Sequence, residues 1–366
     1  MIFLNHMEIG DDEKRAVENC LKSNDISSRG EYLKKCYSWF LEHFGISQML
    51  FTASGSQALE LASLLVPYDA EAEVIFSTYS FPSSINPFVV RGFVPVLAEI
   101  DDTGCMDIHW LKAAVGPKTR AVVITNYAGK NEHINEIVSY CHENEIMVIE
   151  DNAQGFLSYV DDALLGSIGD IGILSFESTK PVSCGEGGAI LINRKELWEK
   201  TQVLGSNGTT RLLQKKNPEI SYTWEMPGLN CCMSDLNAAV LYGQLQHAEQ
   251  DCMKRLLLAK HYLSRLQKSD FLLPVIQTGW NASMFYMIAA NEKASAFCKD
   301  YLLQRGIQAL AHYGSLRECT MGKKMKYFGN GEAKLFDDRL IRLPLYASLS
   351  MEVVDMICDL ICNITL

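Results

Sequence analysis

Between residues 121 and 154 the chain runs Ala121–Thr125 (AVVIT), an amphipathic stretch Asn131–Asn144, Ile146–Ile149 (IMVI), and then Glu150-Asp151-Asn152-Ala153-Gln154. Two short apolar runs separated by apolar positions at helical spacing predict a strand–helix–strand crossover, the unit that joins parallel strands. The same pattern continues outward. Glu73–Ser77 (EVIFS), Phe93–Ala98 (FVPVLA), Ile171–Phe176 (IGILSF) and Ala189–Ile192 (AILI) are further apolar runs, and Ser56–Val66 and Asp107–Val115 are further helical stretches. Alternation of this kind predicts an α/β fold with a mostly parallel sheet covered on both faces. Ligands of such sheets bind beyond the carboxyl ends of the strands, so the residues just after each run are the ones to inspect.

Past residue 230 the pattern changes to long amphipathic helices, Met233–Glu249 and Met253–Gln267, then a shorter mix ending in Met351–Ile361. The spacing of Val353, Val354, Met356, Ile357, Leu360 and Ile361 predicts a helix that packs on the smaller domain. With 366 residues, the chain is expected to divide into a large domain, 1–245, and a smaller C-terminal α/β domain, 246–366. Hydrophobic residues make up 48 % and charged residues 21 %, which excludes a disordered chain. No apolar run approaches the roughly 18 residues of a membrane span. The first residues, MIFLNHMEIGDDE, lack the basic start and apolar core of a signal peptide, so a cytoplasmic location is expected. The 12 cysteines are scattered without zinc-site spacing, which predicts reduced thiols and no metal. A net charge of −11 argues against nucleic acid as a partner.

No G-x-G-x-x-G turn, G-x-S-x-G elbow or Walker loop is present, which weakens the common dehydrogenase, serine hydrolase and nucleotide-phosphate readings. Three strand-end segments remain. Thr52-Ala53-Ser54-Gly55-Ser56 precedes a helix, where free backbone N–H groups form a phosphate site or Ser54 simply caps the helix. Asp151, after IMVI, faces the ligand crevice or caps a turn. Lys180, in SFESTK, sits past a buried strand, where burial lowers a lysine's pKa and makes it a nucleophile toward carbonyls; seen singly, a lysine is usually a surface residue. Gly185-Glu186-Gly187-Gly188 then lets backbone pass close to a ligand or forms a turn. A phosphate cradle, a strand-end aspartate and a nucleophilic lysine are together the parts that pyridoxal phosphate needs.

The order TASGSQALELA, TYSFPSSINPFVVRGFVPVLAEID, IEDNAQG, GSIGDIGILSFESTK, GEGGAI, PGLNCCMSDLNAAVLYGQL and RLPLYASLS resembles the DegT/DnrJ/StrS family of pyridoxal-phosphate sugar aminotransferases over nearly the whole chain. WFLEHFG, NYAG, SMFYMIA and the His312-Tyr313 pair bring it nearest to the dTDP-4-amino-4,6-dideoxyhexose branch, whose substrate is dTDP-4-keto-6-deoxyglucose. The resemblance implies the aspartate-aminotransferase-like fold (fold type I) and transfer of an amino group from L-glutamate to C4 of a nucleotide-linked sugar, for cell-surface polysaccharide or amino-sugar synthesis. It implies that Lys180 is the Schiff-base lysine and proton shuttle, that Asp151 pairs with the pyridine nitrogen, and that Gln154 reaches the phenolic oxygen. Phe81 would stack on the ring, and Gly55, Ser56 and Ser175 would hold the phosphate. Asn230 would come from the neighbouring subunit of a homodimer with shared active sites. Arg29, His312 and Tyr313 are substrate candidates, with Arg211 and the lysines at 323, 324 and 326 as further basic groups for the nucleotide phosphates.

Pro181, Cys232 and Asn207 depart from the family's usual asparagine, arginine and histidine, around the substrate rather than at the lysine. Three other readings stand beside the main one: amination at C3, a regulatory protein that has lost catalysis, and a sugar dehydratase, against which Lys180 argues because the dehydratases carry histidine at that position.

Overall fold

A computed structural model describes residues 1–364, apart from the side chains of 215 and 216. Eight strands form one sheet in the order Met49–Thr52, Gly188–Ile192, Ile171–Ser175, Met147–Asp151, Thr119–Thr125, Glu73–Ser77, Val94–Ala98 and Lys326–Phe328. Neighbours from Ile171–Ser175 to Lys326–Phe328 are parallel, whereas Gly188–Ile192 runs antiparallel to both of its neighbours. The sheet is therefore mostly parallel, as the alternation predicts. The run AILI opposes the rest because the turn and loop that lead into it hold no crossover helix, so the chain doubles straight back. The two edge strands, Met49–Thr52 and Lys326–Phe328, were not evident in the sequence. They are four and three residues long, too short to show a periodicity.

Side chains alternate across the sheet. Val74, Phe76, Val123, Met147 and Ile149 pack with helix Gly55–Leu65 in one cluster, and Ile75, Val122, Ile124 and Val148 pack with helices Ile108–Ala114 and Ile134–Glu143 in another. Each such aliphatic side chain, removed from water, contributes about 1.5–3 kcal/mol. Helices Asp11–Lys22, Glu31–Phe44 and Asp235–Leu245 share a third cluster, so the last of them belongs with the large sheet.

The second long helix, Ala248–Leu266, opens a separate core. It packs with the antiparallel pair Phe285–Ile288 and Leu340–Leu343 and with helices Glu292–Leu303 and Met351–Cys362. Val354, Ile357, Cys358 and Ile361 of the last helix are buried there. The chain crosses between the two cores at both ends. Ile2 pairs with Ile307, and Lys326–Phe328 returns to the large sheet. Residues 365 and 366, the end of the expected second domain, lie outside the described residues. Between the cores sits an aromatic seam of Tyr79, Tyr127, Tyr286 and Phe336. Among the described residues no helix is long and apolar enough to cross a membrane.

Candidate active site

Asp151 is the last residue of its strand. The two-residue period sends Glu150 to the face of Val148 and Asp151 to the face of Ile149, beside helix Gly55–Leu65. Adjacent acids thus acquire different work. Glu150 is fully buried and accepts the N–H groups of Gly166, Ile168 and Gly169, each at 2.7 Å, and the Asn126 amide at 3.1 Å. It ties down the loop that leads into strand Ile171–Ser175.

Asp151 accepts a hydrogen bond from the Ser84 hydroxyl, and the Ala153 N–H donates to its other oxygen at 3.3 Å. Ser84 in turn accepts from Ser80 (2.9 Å), and Ser80 from Thr125 (2.8 Å), so three hydroxyls relay toward one carboxylate. Burial raises the Asp151 pKa; Ser84, the Ala153 N–H and the positive charge of Lys180 pull against it. Lys180 closes a turn through its N–H to the Glu177 carbonyl at 2.9 Å. Burial lowers its pKa, which Asp151 and Glu177 resist and Arg342 reinforces.

The phosphate end is built from the antiparallel strand. Gly188 lies opposite both Thr52 and Ser175, and a Cβ there would stand 2.4 Å from the Gly55 nitrogen. Only glycine lets the three segments meet. A Cβ at Gly55 would lie 3.3 Å from the Ser175 hydroxyl, which places that hydroxyl beside the helix start. Ser54 caps the helix by accepting the Gln57 N–H at 3.1 Å. Among the described residues the N–H groups of Gly55 and Ser56 have no acceptor, so capping and anion binding coexist here. Paired with a strand-end acid and a lysine of lowered basicity, this cradle fits a phosphorylated pyridine aldehyde.

Gln154 is held at three points. Its Oε1 accepts the Ala128 N–H at 2.6 Å, its Nε2 donates to the Tyr313 hydroxyl, and its carbonyl accepts the Asn281 amide at 2.8 Å. Tyr313 has φ +68°, and its ring lies 4.1 Å from that of His312 and 5.9 Å from that of Phe81. Phe81 is 54 % exposed, with its ring open to the site. Burial, reinforced by the charges of Arg342 and Lys180, lowers the His312 pKa well below its ordinary 6.5.

The structure thus brings together Gly55, Ser56, Phe81, Asp151, Gln154, Ser175, Lys180, His312 and Tyr313. Asn230 is exposed, its carbonyl accepting from Gln57 at 3.3 Å. Arg29 lies on an exposed loop beside Asp25. Arg211 opens the short helix Arg211–Lys216, Lys323 pairs with Glu318 at 3.8 Å and Lys326 with Glu73 at 3.4 Å. Sequence reasoning missed Ser80, Ser84, Thr125, Tyr127, Asn281 and Arg342. Ser84 stands in the same TYSFPSS segment as Phe81, and Arg342 opens RLPLY; both were in view as motif text without a partner to give them meaning.

A lysine in the turn that follows strand Ile171–Ser175, an acid ending the neighbouring strand and a helix start with free N–H groups are the parts of a pyridoxal-phosphate-dependent aminotransferase. The chain belongs to the DegT/DnrJ/EryC1/StrS aminotransferase family, whose pattern matches residues 7–362. It is a sugar aminotransferase, and pyridoxal 5′-phosphate is its cofactor. It is 28 % identical to the spore coat polysaccharide biosynthesis protein SpsC of Bacillus subtilis, over 97 % of this chain and 95 % of that one. It is 27 % identical to the GDP-perosamine synthase of Escherichia coli O157:H7, over 95 % and 94 % of the two chains. To the UDP-4-amino-4,6-dideoxy-N-acetyl-beta-L-altrosamine transaminase of Helicobacter pylori it is 25 % identical, over 94 % and 93 %.

Among solved structures, the aminotransferase PseC of Helicobacter pylori superposes with a TM-score of 0.91 at 22 % identity, over 98 % of each chain. The Escherichia coli GDP-4-keto-6-deoxy-D-mannose-3-dehydratase gives 0.88 at 20 %, over 99 % of each. These two likenesses establish the fold. A transaminase and a dehydratase share it, so the chemistry rests on the residues of the site.

Proposed function

We propose that this enzyme transfers an amino group from L-glutamate to C4 of a nucleotide-linked 4-keto-6-deoxyhexose. The observation that carries the reading is Lys180: a half-buried amine whose pKa desolvation lowers, within the field of the buried Asp151 carboxylate. Pyridoxal phosphate, when bound, supplies the sink for the electron pair released at the donor carbon. Lys180 Nζ takes the proton from the donor Cα in the first half-reaction and delivers one to sugar C4 in the second. Asp151 holds a positive charge at the strand end, and the relay through Ser84 keeps its carboxylate aimed. Gly55, Ser56 and Ser175 bind the phosphate dianion. Gln154, locked at both ends of its amide, orients the phenolic edge, and Phe81 covers the ring.

Position C4 is supported by the Helicobacter pylori relative, whose name specifies a 4-amino-4,6-dideoxy sugar. The sequence resemblance favours dTDP-4-keto-6-deoxyglucose, whereas the relatives named for a substrate carry GDP and UDP. The protein is read as a homodimer in which Asn230 of one subunit completes the site of the other, with domains 1–245 and 246–366. The product would serve cell-surface polysaccharide or amino-sugar synthesis. His312 and Tyr313 would line the sugar pocket.

The test is the visible spectrum of the holoenzyme before and after L-glutamate, followed by dTDP-, GDP- and UDP-linked 4-keto-6-deoxyhexoses with product mass and amine position determined. Loss of the lysine-linked cofactor band with glutamate, and a 4-amino sugar from one nucleotide, are expected. A 3-amino product, or a cofactor band that no amino acid alters, would overturn the reading.

A further inference from the structure

Ala128, in the turn Tyr127–Gly129 past strand Thr119–Thr125, has φ +55° and ψ +19°, the left-handed region that a residue with a Cβ enters only at a cost. It is fully buried, and two hydrogen bonds hold it there. Its N–H donates to Gln154 Oε1 at 2.6 Å, and its carbonyl accepts the indole N–H of Trp280 at 2.7 Å. Trp280 belongs to the smaller core, stands 152 positions further along the chain and is 4 % exposed. The next residue, Asn281, reaches the other loop: its Nδ2 donates to the carbonyls of Gln154 and Phe156, each at 2.8 Å. Two neighbouring side chains from one core thus pin the two loops of the other that meet at Gln154.

A backbone N–H can only donate, so the atom of Gln154 that meets Ala128 is its oxygen, and the orientation of the amide is fixed. Its nitrogen is then turned the other way, where one N–H donates to the Tyr313 hydroxyl and the second is left for the phenolic oxygen of the cofactor. If Ala128 relaxed to a negative φ, its N–H would swing off Oε1 and free the amide to rotate by half a turn, setting oxygen against oxygen. Alanine gains by that relaxation and glycine does not, because only a Cβ makes the left-handed form costly. What opposes it is the Trp280 N–H, whose loss would also leave the buried Ala128 carbonyl without this donor. The indole has a second contact, since Lys130 Nζ lies 5.2 Å from its ring. Phenylalanine at 280 keeps an aromatic face for that cation and removes only the N–H, so the two contacts are separable.

Resting on the reading that Gln154 reaches the cofactor's phenolic oxygen, we propose that Trp280 is a positioning residue: through the strained backbone of Ala128 it orients the Gln154 amide and so tunes the charge on the cofactor ring.

The experiment titrates the lysine-linked cofactor band of the holoenzyme with pH, without an amino donor, in wild type, Trp280→Phe, Trp280→Phe combined with Ala128→Gly, and Gln154→Ala. A donor to the phenolic oxygen draws off charge that favours the proton on the neighbouring lysine linkage, so its loss moves the midpoint to higher pH. Proton affinity is expected to rise about tenfold in Gln154→Ala and about threefold in Trp280→Phe, and the cofactor Kd about five- to tenfold in both. Lys180, Tyr313, which is bonded to Gln154, and Asp151, which acts on Tyr313, are untouched in every variant. Adding Ala128→Gly to Trp280→Phe should bring proton affinity back to within about 1.5-fold of wild type, because glycine holds the left-handed turn without the clamp. A tryptophan that only supports the fold would show no such rescue. A folded Trp280→Phe enzyme with the wild-type midpoint, beside a shifted Gln154→Ala, overturns the proposal. So does a Trp280→Phe shift that Ala128→Gly leaves in place. An unshifted Gln154→Ala overturns the reading of Gln154 itself, and the proposal with it. If Trp280→Phe does not fold, Ala128→Val, whose branched side chain resists a positive φ, is read by the same midpoint, and a wild-type value there counts against the proposal.

Discussion

Ser84 donates its hydroxyl to the carboxylate of Asp151, so the acid that ends a central strand is aimed by a residue 67 positions earlier in the chain. The bond matters because Asp151 is buried, and burial alone would favour its neutral form. A hydrogen bond to the anion offsets part of that cost, and Ser80 and Thr125 hold Ser84 in the donating orientation.

Replacing Ser84 with alanine removes a bond that stabilises the ionised acid, so the Asp151 pKa rises further. The acid limb of the pH–rate profile is expected to move to higher pH, and cofactor affinity to fall about tenfold. Ser84→Thr, which keeps the hydroxyl, should restore both. Profiles of kcat against pH for the three enzymes check this, and an unmoved acid limb in Ser84→Ala would refute the role assigned to the bond.

Glu150 and Asp151 should separate cleanly by mutation. Glu150→Gln puts an amide N–H where backbone N–H groups now donate, and is expected to cost about 2–3 kcal/mol of stability while kcat of the folded enzyme stays within twofold. Asp151→Asn should reduce kcat on the order of 10²–10³-fold. Urea unfolding and steady-state rates on both variants test the division; a catalytic loss in Glu150→Gln as large as in Asp151→Asn would contradict it.

His247 bridges Glu13 (2.8 Å) and Asp251 (2.6 Å). Burial lowers its pKa, but the two carboxylates outweigh that and hold it above the ordinary 6.5. Burial likewise works to raise the Glu13 pKa, and bonds from His247, Gln244 and the Gly10 N–H leave it below 4.5. The histidine's contribution is complete below pH 6.5 and is lost as pH rises through its folded value. The glutamate's is complete above pH 4.5 and is lost as pH falls through its own. The destabilisation caused by His247→Ala should therefore be greatest between pH 4.5 and 6.5, about 1–3 kcal/mol, and should shrink by pH 9. Urea midpoints at pH 5.5 and 9 measure it, and a pH-independent difference would argue against the ion pairs.

The shared-site reading predicts complementation. Lys180→Ala and Asn230→Ala should each be nearly inactive alone. After mixing and exchange, half of the dimers are mixed, and each mixed dimer has one site free of both substitutions, so activity should recover to about a quarter of wild type. No recovery despite proven subunit exchange would place both residues in one subunit's site.

Much of the site was legible because its key groups sit where local pattern changes. Lys180 and Asp151 each mark the end of an apolar run, and a two-residue period says which face a strand-end side chain occupies. Gly55 and Ser56 open a helix whose start is visible from Ser54 and the apolar spacing behind it. The partners were not legible. Ser84 reaches Asp151 and Tyr313 reaches Gln154 across 67 and 159 residues, separations over which no periodicity carries information. Arg342 looked like one more charge in a short strand until its burial without an ion-pair partner became apparent.

The order of apolar runs settled the parallel sheet, and the chemistry at their ends settled the cofactor, because strand direction and side-chain face are consequences of backbone geometry repeated every two residues. Which hydroxyl holds Asp151, which tyrosine meets Gln154 and which arginine borders Lys180 depend on how crossovers and the second core stack on the sheet. That stacking is decided by the burial of the aromatic seam around Tyr79, Tyr127, Tyr286 and Phe336, a collective packing among residues that are distant in the chain.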